Sequence, residues 1–116
     1  MAPDPIEHHP IERLRGLCGG PRDGALLRVS LANALLVQGD ANAAVIELRR
    51  AVEFDADYSA AWKLLGNTLA DSGDAAGAIA AYDAGIAAAV KRGDKQAEKE
   101  MRVFLRRLQK QTRDNA

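Results

Sequence analysis

Few side chains in this sequence are equipped for catalysis or metal binding. His8 and His9 are the only histidines, and they sit side by side in residues 1–9, which read as a flexible leader. Adjacent imidazoles with no further ligands recurring at a metal spacing make a poor metal site. Cys18 is the single cysteine, so an internal disulfide and a cysteine-held zinc are both excluded. A reactive thiol is one reading of Cys18; burial as a small apolar residue is the reading its helical face favours. There is no glycine-rich phosphate loop and no nucleophile flanked by a plausible base. Neither catalysis nor a cofactor is expected.

Amides and cations remain. Asn33 and Asn67 each interrupt an otherwise apolar stretch, and a side-chain amide can both donate to and accept from an extended peptide backbone. Lys63 precedes Asn67 by one helical turn. Charge is unevenly spread: residues 1–90 hold seven Lys/Arg against twelve acids, whereas residues 91–116 hold nine against four. The formal net charge of zero argues against a polyanion binder acting with its whole surface. Arg102, Arg106, Arg107, Lys110 and Arg113 nevertheless form a local basic stripe. It lacks the interleaved aromatics that stack bases, so nucleic acid is a rival partner only through the last helix. An acidic first part and a basic end also suit self-association.

The elements that must hold these groups follow from a repeat. Leu31, Leu35, Gly39-Asp40 and Ala44 recur 34 residues later as Leu65, Leu69, Gly73-Asp74 and Ala78. That period and spacing indicate tandem helix–turn–helix units. Trp62, Leu65, Leu69, Tyr82 and Ile86 recur at helical intervals and predict one apolar face. Gly66 and Ala78, small residues on partner helices, are expected to let the two backbones approach. Each Gly-Asp pair ends one helix and starts the next, glycine at the C-terminal turn and aspartate as N-cap. Gly93-Asp94 punctuates a third time, and a last helix is predicted over residues 94–110, striped by Ala97, Met101, Phe104, Leu105 and Leu108. A short helix is predicted over residues 10–18, with Pro10 opening it and Gly19-Gly20-Pro21 closing it.

The unit 59–92 resembles the tetratricopeptide repeat. That family favours Trp, Leu, Gly and Tyr in its first helix and Ala, Phe and Ala in its second; this chain has Trp62, Leu65, Gly66 and Leu69, then Ala78, Tyr82 and Gly85. Val90 stands where the family places proline. The unit 25–58 matches less closely, with Arg28 in place of the tryptophan, followed by Leu31, Ala32, Leu35, Ala44, Leu48 and Ala51. The resemblance implies an all-α fold: a short helical solenoid of two antiparallel repeats, with a C-terminal capping helix over 94–110 and a short N-terminal helix closing the exposed ends.

It also implies where partners bind. In the family the first helices line a concave groove, and the corresponding positions here include Leu26, Val29, Asn33, Leu36 and Val37, then Lys63, Asn67 and Asp71, and in the last helix Lys95, Glu98, Arg102, Leu105 and Arg106. Members that grip a C-terminal carboxylate use a lysine and an asparagine spaced like Lys63 and Asn67. They take their remaining basic residues from later repeats; here Lys95 and Lys99 fall on the very next helix. The intervening repeat is missing, so the clamp does not transfer whole. The resemblance therefore implies a non-catalytic module that holds a peptide or partner protein, an acidic segment or a chain end, with Asn33, Lys63, Asn67, Lys95, Lys99 and Arg102 as its contact residues. Leu36 and Val37 are one surface for an amphipathic partner helix; coverage by this chain's own Ile11, Leu14 and Leu17 is the expectation favoured over it. No apolar run is long enough to span a bilayer, and a cytoplasmic location is the default.

Overall fold

The computed structural model describes residues 9–115, and within them the regular structure consists of six α-helices. They are α1 (His9–Leu17), α2 (Ala25–Val37), α3 (Ala41–Phe54), α4 (Ser59–Asp71), α5 (Ala75–Arg92) and α6 (Lys95–Asp114). Helix α1 begins one residue before Pro10, and α6 runs four residues past the predicted end at Lys110. Nothing in Gln111-Thr112-Arg113 stops a helix: proline and glycine are absent until the chain ends.

The three turns built on Gly-Asp are copies of one another. Gly39, Gly73 and Gly93 all have positive φ, a conformation that costs a glycine nothing. The next N–H bonds back to a carbonyl five residues earlier: Asp40 to Leu35 at 2.9 Å, Asp74 to Leu69 at 2.9 Å, Asp94 to Ala89 at 2.8 Å. The same aspartates then cap the following helices, accepting from the N–H of Ala43, Gly77 and Ala97. One dipeptide satisfies orphan groups at both helix ends, which is why it recurs one repeat period apart at 39–40 and 73–74 and again at 93–94.

Sequential helices pack as neighbours: α1 on α2, α2 on α3, α3 on α4, α4 on α5 and α5 on α6, with a further contact between α4 and α6. The stack is elongated, 52 × 31 × 20 Å. Leu31, Leu48, Leu65 and Met101 are its largest fully buried side chains. Gly66 and Ala78 are buried as expected, but the space left at Gly66 is filled by a side chain: a Cβ there would overlap the Tyr82 ring. Gly85 is hemmed in similarly, between Trp62 of α4 and Met101 of α6. Trp62 itself is half-buried, and its indole N–H donates to the Ala56 carbonyl at 2.8 Å, holding the loop between the repeats. Ile11 and Leu14 of α1 join the core alongside Leu36. The expected cover stops there: Val37 is 87% exposed, because it lies at the last turn of α2, beyond that packed face.

Candidate partner-binding groove

Helices α4 and α6 flank a cleft of about 390 Å³ with α5 beneath it. Asn67 and Asp71 stand one turn apart on the α4 wall, and Arg107 and Gln111 one turn apart on the α6 wall. Phe104, Leu108 and the Tyr82 ring supply the apolar lining. Phe104 and Tyr82 meet with centroids 6.0 Å apart and planes inclined by 44°. Tyr82 is only 3% exposed, so its hydroxyl needs a partner, and it donates to Asn67 Oδ1 at 2.6 Å. Burial, with the nearby Asp71 carboxylate second, pushes the Tyr82 phenol above its ordinary range.

The contact residues read from the sequence fall into separate groups. Lys63, one turn before Asn67, reaches across to α6 and pairs with Glu100 at 3.1 Å. Asn33 is exposed on α2, on a face shared with the exposed Leu26 and Val37 and the half-buried Val29. Lys95, Lys99 and Arg102 are exposed on α6 but do not line the cleft that holds Asn67. With Arg106, Lys110 and Arg113 they form a stripe spaced three or four residues apart, opposite the buried Ala97 and Met101. Within that stripe Arg102 is tied to Glu98 at 3.0 Å. Lys99 lines a smaller hollow with Glu100, Val103 and Phe104, and Arg107 lines both this hollow and the main cleft. Among the described residues no cluster of His, Cys, Asp and Glu is arranged to hold a metal ion. His8 and the side chain of His9 lie outside the described residues.

Two features were not anticipated from the sequence. The Tyr82–Asn67 bond joins residues that the helical pattern assigns to different tasks, one to the core and one to the groove. The other is the set of partners around Arg28, which replaces the tryptophan of the repeat. Its guanidinium forks onto Asp23 through Nε and Nη2, at 2.8 and 2.7 Å, and reaches Glu47 of α3 through Nη1 at 2.8 Å. Asp23 in turn accepts from the N–H of Gly19 and Gly24, at 2.7 and 2.9 Å, fastening the loop between α1 and α2. The Arg28 contact, followed by these backbone donors, holds the Asp23 carboxyl far below the usual carboxylate range. A basic residue in an apolar register was the available signal, since a half-buried guanidinium requires acids nearby.

Helix pairs at a 34-residue period, packed one after another with α4 also touching α6, define a helical-repeat scaffold. The chain is 51% identical over 98 residues to the TPR repeat-containing protein PA0015 of Pseudomonas aeruginosa, covering 84% of this chain and 93% of that one. It belongs to the tetratricopeptide repeat-containing proteins. The solution structure of protein BPP2914 from Bordetella parapertussis is similar, with a TM-score of 0.72 and 46% identity over 87% of this chain and 88% of that one. A crystal structure of MamA shares the fold at a TM-score of 0.68 and 23% identity, with 90% of this chain aligned to 60% of that one. No family model matches the chain.

Proposed function

We propose that this chain is a non-catalytic interaction module that holds a peptide or a partner segment along its concave face. The observation that carries this reading is the α4–α6 cleft, where Asn67 and Arg107 stand over an apolar lining. A few convergent polar groups on a mostly apolar wall are what a recognition site requires. Asn33 and Lys63 extend the contact along the first helices. Lys95, Lys99 and Arg102 add positive charge on the adjoining flank and favour an acidic segment, contributing orientation and on-rate more than affinity. Lys63 would exchange Glu100 for a ligand carboxylate, so a free chain end offers it no more than an internal acid does. No helix among the described residues is long and apolar enough to cross a membrane, and the module is assigned to the cytoplasm as part of this reading.

The test is fluorescence polarisation with peptides selected from an acidic library. Losing both groups in a Lys63→Ala, Asn67→Ala variant should weaken a selected peptide by about tenfold or more, since each group removes a net hydrogen bond. Equal binding by the two forms would remove the groove from the reading. Tighter binding of duplex DNA, falling steeply with salt, would instead favour nucleic acid along the α6 stripe.

A further inference from the structure

Lys95, Lys99, Arg102, Arg106, Lys110 and Arg113 form one row along α6, three or four residues apart, and every one of them is exposed. At the helical rise the row is about 27 Å long. An ordinary solvated helix face mixes signs and gains from opposite charges one turn apart; this row does the reverse. Lys95 and Lys99, Arg102 and Arg106, and Arg106 and Lys110 are like charges at i,i+4, each pair working against the helix. Lys95 also lies in the first turn, where the helix dipole disfavours a cation. Nearby acids give little relief: Glu98 is taken up by Arg102 at 3.0 Å, and Glu100 by Lys63 of α4 at 3.1 Å. Among the described residues no acid pairs with Lys95, Lys99, Arg106, Lys110 or Arg113.

We propose that this row is a docking surface for the phosphate backbone of a nucleic-acid duplex, separate from the groove and not dependent on it. The mutual repulsion of the row is relieved by an anion that is itself linear and evenly charged, and the closely spaced phosphates of a duplex supply one. A folded protein partner fits less well. Such interfaces centre on apolar anchors, and the row contains none, its apolar neighbours Val103 and Leu105 being half-buried to either side. A second copy of the chain is no better matched. Its acids outside ion pairs include Glu12, Asp40, Asp71, Asp74 and Asp83, which are spread over four helices' ends and faces and not set in a row. The want of aromatics along the row selects a duplex over a single strand, whose bases need a stacking surface. Contacts of this kind read charge and not sequence. The row lies opposite the buried Ala97 and Met101, so the acidic repeats sit behind it.

The test is fluorescence polarisation of the full chain with a labelled duplex of about 20 base pairs and mixed sequence. Log affinity against log salt is expected to fall with a slope of about −3 or steeper, three or more phosphates being neutralised. Replacing Arg106, Lys110 and Arg113 together by glutamine should flatten that slope by about 2 or more. The same variant should keep the parent's circular dichroism, because none of the three has a partner in the fold. Glu98→Gln frees Arg102 and should steepen the slope by about 1. Asn67→Ala, which weakens the groove, should leave it unchanged. A slope shallower than expected, or one that the triple variant leaves in place, would overturn the inference. Binding as tight as the duplex by vesicles rich in phosphatidylglycerol, or by polyglutamate, at equal charge concentration would overturn it too. Duplex binding through the row that also exceeds every selected peptide would leave the inference standing and overturn the groove reading.

Discussion

Gly66 and Tyr82 form the tightest fit between the helices of the second repeat. A methyl group at residue 66 has nowhere to go, because the Tyr82 ring already fills the site and is itself enclosed by Phe104. Gly66→Ala should therefore destabilise the fold by about 1–3 kcal/mol despite alanine's better helix propensity, measurable by urea unfolding. Tyr82 also sets an alkaline limit. Its folded-state pKa is raised, so its contribution is complete below the ordinary tyrosine pKa of about 10 and is lost as pH rises through the higher folded value. Melting temperature should fall more steeply above pH 10 for the parent than for Tyr82→Phe. These residues also show where sequence reading stops. The smallness of Gly66 was evident from its type and register, but what occupies the space is a ring 16 residues later, and periodicity does not encode which side chain leans into a gap. The Tyr82–Asn67 and Lys63–Glu100 bonds were hidden for the same reason: each joins side chains whose register places them on different faces or helices.

At the scale of elements, the turns were the legible part. Gly-Asp occurs at 39–40, 73–74 and 93–94, and each occurrence closes one helix and caps the next with the same bonds. Replacing the Asp74 cap by alanine should cost about 1 kcal/mol, read by thermal unfolding. Gly77 contributes to that turn as well, since a Cβ there would press on the Asp74 carboxylate. The first loop is held differently, by Asp23 gripping Arg28 and two backbone N–H groups. The pKa of Asp23 is depressed on folding, and so is that of Asp94, which accepts first from the Ala97 N–H and then from the Ser59 hydroxyl. Their stabilisation is present above the unfolded carboxylate value of about 4 and disappears as pH falls below it. Asp23→Asn should lower stability at neutral pH and flatten the loss between about pH 4 and pH 2 in an acid titration followed by circular dichroism. The α6 boundary was misjudged because its last turns touch little else: residues 109–115 are exposed throughout, so no apolar stripe marks their helicity.

The whole molecule is a succession of helices each packed on the next, with α4 also touching α6, and with charge divided between an acidic body and a basic final helix. The 34-residue step made this architecture readable, since stacking demands the same small and apolar residues in each unit. The contact surface was less readable because Lys95, Lys99 and Arg102 lie on the exposed stripe of α6 opposite Ala97 and Met101, whereas Phe104, Arg107, Leu108 and Gln111 border the cleft that Asn67 lines. The central claim is that partners bind along the first helices. Its most direct test is the map of backbone amide shifts caused by a selected acidic peptide. The expected footprint covers α2, α4 and α6 around Asn33, Lys63, Asn67 and Arg107. A footprint confined to the outward faces of α3 and α5, around Ile46, Ala80 and Asp83, would contradict it.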